Sequence, residues 1–312
     1  LKLAGALEFA RPASRLAAAV EDRRMRIFAI ALMCGAMVCF TGLDTSSKWL
    51  GLGLPVAQIV WARYAGATVI AVAVARPWSQ PAVLRSKRLG LQALRSLLLL
   101  GSTVSVVVAL RQLQLAETAT ISFLTPIFVA LLAGPLLGER VGGERSIAIA
   151  VGFLGVLIAT RPGTSAFQPV VLVAVAGVVC NSGYVLATRK LAAFDSAPTT
   201  LLWTQAAGLV FLTPLLPWVW RWPQSIHVWM AMAGLGVFAA AGHGLLIVAH
   251  RFAPAPVLTP FSYTQLIWMI VSGFVVFGDW PPAATLAGAS LVAACGVWLA
   301  IRERAGRRQL AT

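Results

Sequence analysis

Acidic side chains are nearly absent from this sequence: 10 Asp and Glu stand against 25 Lys and Arg in 312 residues. Charged residues of both signs make up only 11% of the chain, less than half of the roughly 25% found in soluble domains. With 59% hydrophobic residues and a mean hydropathy of +0.84, the chain has too little polar surface to face water on all sides. A soluble globular domain is excluded. Cysteine and histidine are equally sparse. Cys34, Cys39, Cys180 and Cys295 lie singly inside apolar runs, without metal-ligand or disulfide-framework spacing, and read as small buried hydrophobes. Neither a GxSG nucleophile turn nor a P-loop occurs, which argues against a serine hydrolase and against an ATP-driven pump in this chain. Residues 1–26 lack the long apolar core and small-residue cleavage site of a signal peptide and are expected to form a basic cytoplasmic tail.

Long apolar runs are what the chain does contain. Hydropathy gives ten segments, at 27–47, 56–75, 91–110, 116–136, 146–160, 169–188, 199–217, 228–249, 255–277 and 284–300. Each is near the ~20 residues that cross a bilayer as a helix. Backbone groups in hydrocarbon must pair internally, and runs without period-2 alternation do not build a barrel. An all-α membrane protein with ten transmembrane helices is the expected fold.

The net charge of +15 sits in short loops and tails rather than on one folded face, so nucleic acid is not an expected partner. It does set orientation. With the N-terminus inside, 19 Lys and Arg fall on the cytoplasmic side, 4 on the outer side and 2 (Arg63 and Arg95) within segments. The positive-inside rule then places both ends in the cytoplasm, with a second basic tail at 303–312.

The two halves resemble each other at an offset near 140. "CFTGLDTSSKWL" (39–50) aligns with "CNSGYVLATRKL" (180–191), setting Cys39 on Cys180, Gly42 on Gly183 and Lys48 on Arg189. With Ser122 set on Ser262, Gly138-Glu139 falls on Gly278-Asp279, and "GVLIATR" (155–161) matches "GVWLAIR" (296–302). Five segments per half is an odd number, so the second half (168–302) must thread the membrane in the opposite sense to the first (27–163). Inverted repeats of this kind build secondary transporters, with the substrate site at the repeat interface near the midplane.

The stretch "LTPIFVALLAGPLLGERVGGERSIAIAVGFLGVLIATRPG" (124–163) and the weaker "GDWPPAATLAGASLVAACGVWLAIR" (278–302) resemble the EamA-type members of the drug/metabolite transporter superfamily. The resemblance covers about residues 27–302. It implies transport of a small organic metabolite without a cofactor, through a cavity enclosed by the first, third, fourth, sixth, eighth and ninth helices. In the second half Asp279 stands where the pattern has Glu, and Pro281 and Pro282 follow it.

Polar groups inside spans are costly, about 2.5–3.5 kcal/mol for a charge at helix centre, and so mark candidate sites. Arg63 lies roughly 10 Å deep at 1.5 Å per residue, either lining a cavity or paired with Asp44. Asp44 and Lys48 share a helix face at i,i+4: one reading is an interfacial pair with Lys48 reaching the surface, the other a gate or coupling site. Arg95, near a cytoplasmic helix end, is expected to snorkel. His243, between Gly242 and Gly244, reads as a packing histidine or a substrate or proton contact. Prolines at 126, 256 and 260 disturb the fourth and ninth helices. Ser122, Thr125, Tyr263 and Gln265 are therefore candidate lining residues, with Asn181 and Tyr184 beside them, interhelical hydrogen bonding being the alternative. Glu139 and Asp279 are expected to cap helices or to hold the short connections to the next helix. Ala148/Gly152 and Ala284/Gly288 are small-residue pairs suited to a dimer surface or to internal packing. Arg63 and Lys48, with Trp61 and Trp268 for stacking, point to a substrate with a carboxylate and a flat ring: an amino acid, an S-adenosylmethionine-like compound or a riboflavin-like vitamin. A passive channel or sensor and an intramembrane hydrolase are the alternatives.

Overall fold

A computed structural model describes residues 2–137, 143–253 and 255–309, with side chains described at 24–129, 131–132, 147–253, 257–298 and 301–302. All regular elements among them are helical: α1 (Lys2–Leu50), α2 (Val56–Ala75), α3 (Leu89–Leu110), α4 (Leu115–Ser122), α5 (Thr125–Leu137), α6 (Gly143–Thr160), α7 (Val170–Leu191), α8 (Ala197–Leu212), α9 (Leu216–Val219), α10 (Ile226–Phe252), α11 (Ala255–Ser262), α12 (Thr264–Phe277) and α13 (Ala283–Gln309). The chain is an all-α membrane protein. Among the described residues seven spans are long and apolar enough to cross a bilayer, and three shorter apolar helices accompany them at Leu115–Val129, Ile147–Thr160 and Ala283–Trp298. The expected fourth, fifth and tenth segments are the short ones. The expected N-terminal tail is continuous with the first span as one helix, α1. Glu139, the rest of 138–142, the side chains of 143–146 and those of both expected tails at 1–23 and 303–312 lie outside the described residues.

Apolar composition alone would leave the many Ser and Thr hydroxyls of these helices unsatisfied. Several are turned back onto their own helices: Thr41, Ser47, Thr120, Thr160 and Ser182 each donate to the carbonyl four residues earlier, at 2.7–2.9 Å, whereas Thr45 and Thr68 are buried without a partner among the described residues. Such back-bonding is the cheapest way to place a hydroxyl in a dry interior. Small residues then set how closely helices approach. Gly66 of α2 and Gly236 of α10 meet backbone to backbone; a Cβ on Gly66 would lie 2.8 Å from Gly236 Cα. Gly155 and Gly288 bring α6 against α13, where Cys295 donates to the Ala148 carbonyl at 3.1 Å. Gly152 is filled by Ile127 of α5. Ala148, Gly152 and Gly288 of the small-residue pairs are thus taken up by internal packing.

Packing repeats between the halves. α1 lies on α10 as α7 lies on α3, and α2–α8 and α6–α13 pair across the halves. Gly42 of α1 receives the Phe238 ring and Gly183 of α7 receives Leu98; these are equivalent positions at the offset seen in the sequence. The broken helices match as well. α4 gives way to α5 at residues 123–124, and α11 to α12 at residue 263. Set Ser122 on Ser262, and Phe123 falls on Tyr263. Those two rings touch, their centroids 4.8 Å apart.

The end of α12 prepares the next feature. Gly278 takes φ +69°, its N–H bonds the Phe274 carbonyl, and the Asp279 N–H bonds the Gly273 carbonyl at 3.0 Å. A glycine in the left-handed region closes the helix this way at little cost. The turn carries Asp279 back over the bundle.

Candidate transport cavity

Helices α1, α3, α4, α7, α10 and α12 enclose a cavity of about 210 Å³, and α2 contributes Arg63. Among the expected site residues, Asp44, Arg63, Ser122, Asn181, Tyr184, His243 and Gln265 line it. Phe40, Ser102, Thr103, Thr118, Phe123 and Met269 line it too, and nothing in their local sequence distinguishes them from other residues of the same helices. Thr125 and Tyr263 stand outside the lining. Thr125 accepts from Asn181 Nδ2 at 3.3 Å and so holds a lining residue in place. Tyr263 is 9% exposed, wedged under Gly296, where any Cβ would strike its hydroxyl.

Asp44 and Arg63 do not pair directly. Among the described residues neither makes a hydrogen bond or an ion pair within 4 Å, although Arg63 acts electrostatically on both Asp44 and His243. Both charges are therefore presented to the cavity. The His243 ring meets Phe40 edge-on, centroids 5.0 Å apart, and Phe40 fits there because Gly242 leaves it room.

Lys48 does not make the pair with Asp44 that the interfacial reading expects. Its ammonium lies 2.8 Å from Asp279 Oδ2 and 3.0 Å from the Leu113 carbonyl, with the Phe277 ring 4.9 Å away. An i,i+4 neighbour is the nearest acid in sequence, but Asp44 turns into the cavity, leaving the α12–α13 turn to supply the counter-ion. Asp279 thus serves as an ion-pair partner rather than a side-chain cap. The pair is mostly shielded, at 12% and 30% exposure. It ties α1 of one half to the α12–α13 turn of the other.

Arg95 does not snorkel. It is 4% exposed and points inward, because α7 and α8 offer it a set of oxygens. Nε donates to Thr188 Oγ1 at 2.7 Å, Nη1 to the Thr200 carbonyl at 3.2 Å and to Thr204 Oγ1, and Nη2 to Tyr184 Oη at 3.0 Å. Trp61 and Trp268 do not reach the cavity either. Trp61 donates to Thr213 Oγ1 and packs on Trp220, and Trp268 is 40% exposed.

Comparison with known proteins fits this architecture. The EamA-like transporter family model matches twice, over residues 27–161 and 168–302. The chain belongs to the EamA-like transporter family. Among its similar relatives are a riboflavin transporter of Vibrio cholerae, 26% identical over 83% of this chain and 88% of that protein, and an S-adenosylmethionine uptake transporter of Rickettsia prowazekii, 22% identical over 84% and 88%. A pseudopaline exporter of Pseudomonas aeruginosa is 25% identical over 82% and 90%. A crystal structure matches with a TM-score of 0.59 at 20% identity, covering 91% of this chain and 98% of that one, which shows a shared fold. The EamA-like relatives named here are transporters of small metabolites, and both uptake and export occur among them.

Proposed function

We propose that this EamA-like protein is a secondary transporter that moves a small organic metabolite across the cytoplasmic membrane by alternating access, with both termini in the cytoplasm and ten crossings arranged as two inverted five-helix repeats. It performs no covalent chemistry. The observation that carries this reading is the cavity: a largely apolar chamber enclosed by helices of both halves, in which a few polar groups, Asp44, Arg63 and His243 among them, are presented to a ligand. Matched packing in the two halves supports the inverted repeat, since two similar bundles can exchange conformations at comparable energy. At about 210 Å³ the chamber is smaller than the roughly 300–1,000 Å³ that holds a drug-sized ligand. A metabolite the size of riboflavin enters only if the halves part, and the Lys48–Asp279 bridge between them is the outer gate that must open. Asp44, His243 or both supply coupling to protons.

A passive channel needs no such closure, and a hydrolase needs a serine on its histidine. Among the described residues no hydroxyl bonds the His243 ring. The deciding experiment compares metabolites of cells and medium with and without the protein, then measures counter-flow of the best candidate in proteoliposomes. Saturable counter-flow is expected. Flux that neither saturates nor exchanges would replace the carrier with a channel.

A further inference from the structure

Arg95 poses a problem of charge. A guanidinium that is 4% exposed is strongly disfavoured unless paired, yet all its partners are neutral. They are three side-chain hydroxyls and a backbone carbonyl, and no carboxylate among the described residues touches it. The site is built for the cation nonetheless. Thr188 spends its own proton on the Tyr184 carbonyl at 2.7 Å, and Thr204 spends its proton on the Thr200 carbonyl at 2.6 Å. Their oxygens are left as acceptors aimed at Arg95. Tyr184 differs. Its oxygen accepts from Arg95 and its ring lies 4.6 Å below the guanidinium carbon, but its own O–H has no acceptor among the described residues. Tyr184 is a lining residue of the cavity.

We infer that Arg95 and Tyr184 form the anion-reading element of the cavity: Tyr184 donates its O–H to a carboxylate or similar anionic group of the substrate, and Arg95, one side chain behind, supplies the compensating charge. The inference rests on the cavity being the substrate site and narrows its ligand class. Charge balance supports it. Asp279 cancels Lys48; among the described lining residues Arg63 is the cation and Asp44 the acid, and Arg95 adds a second positive charge behind Tyr184. An anionic ligand group completes the count. Arg95 is a positioning residue and acts through Tyr184. It fixes the phenol oxygen as an acceptor, which turns the proton outward, and a donor polarised by a cation binds anions more strongly than a neutral one.

The test uses the full-length protein in detergent and three acid–amide pairs of matched shape: acetate and acetamide, glutamate and glutamine, nicotinate and nicotinamide. Affinities are read from ligand-dependent thermal stabilisation. At least one acid should bind about tenfold tighter than its amide, the difference between a charge-assisted and a neutral hydrogen bond. That ratio should fall to within about twofold in Tyr184→Phe and in Arg95→Gln, and Arg95→Lys should restore part of it. No acid preference in any pair overturns the inference, as does a preference that survives Tyr184→Phe. Should Arg95→Gln fail to fold, Tyr184→Phe still decides. Binding is scored without transport: counter-flow with no acid preference removes this inference alone, and an acid preference without counter-flow removes the carrier reading alone.

Discussion

Lys48 Nζ and Asp279 Oδ2, 231 positions apart in sequence, lie 2.8 Å from each other and bridge the two halves of the bundle. The bridge is shielded enough to matter and exposed enough to break, with Asp279 at 30% exposure. A fully buried pair would resist opening, because each ion would meet a several-kcal/mol desolvation cost. Partial exposure suits a contact that must form and release.

Removing one partner should therefore impair transport more than folding. Lys48→Gln and Asp279→Asn are each expected to reduce counter-flow at least tenfold while lowering stability by about 1–3 kcal/mol, the scale of one charge-assisted hydrogen bond. The exchange Lys48→Asp with Asp279→Lys should recover part of the rate. Full transport in either single variant would show the bridge to be ornamental to gating.

Arg63 reaches the cavity without a protein partner within 4 Å among the described residues. Arg63→Ala is expected to abolish counter-flow and leave membrane insertion and the melting temperature nearly unchanged, because no structural bond is lost. A large drop in melting temperature would instead mark Arg63 as structural.

The α2–α10 crossing has no room for a side chain. Gly66→Val should destabilise by about 1–3 kcal/mol, the range for overpacking, since the obstacle is the Gly236 backbone rather than a flexible side chain. Gly244→Ala, which meets nothing within 4 Å, is the silent control. Thermal melting in detergent distinguishes them.

Asp195, in the turn after α7, is opposed by burial but held below the ordinary carboxylate range by the Ser86 hydroxyl, the Lys87 N–H at 2.8 Å and Gln92 Nε2 at 3.0 Å. A depressed folded pKa gives stability that is present above the unfolded value, about 3.9, and is lost as pH falls through the folded one. Wild type should out-melt Asp195→Asn at pH 7, and the gap should close on going below pH 4. A gap independent of pH would show that the carboxylate charge contributes nothing.

Topology is tested by labelling single introduced cysteines. Ser79→Cys and Gly143→Cys are expected to react only from the cytoplasm, Gly53→Cys and Thr164→Cys only from outside. Residues 79 and 143 on opposite sides would break the inverted repeat.

Local sequence carries part of this site and misses part. Asp44, Arg63 and His243 are legible because a charged or titratable group in an apolar run needs a reason to be there. Tyr263 and Thr125 carry the same polar signal as Gln265 and Asn181, yet they pack against Gly296 and hold Asn181. Sequence does not say which face of a helix meets the cavity when the helix is broken. The rotation after residues 123 and 263 decides it.

By itself the sequence determined the solvent and the all-helical class, because hydropathy and the lack of period-2 alternation are one-dimensional quantities. Only the tertiary structure decided the partners. Lys48 passes over the acid four residues away for Asp279, and Arg95 turns from the surface towards Tyr184, Thr188 and Thr204. In a medium without water a charge settles wherever distant helices bring oxygen atoms together, and that convergence exists only after the bundle has packed.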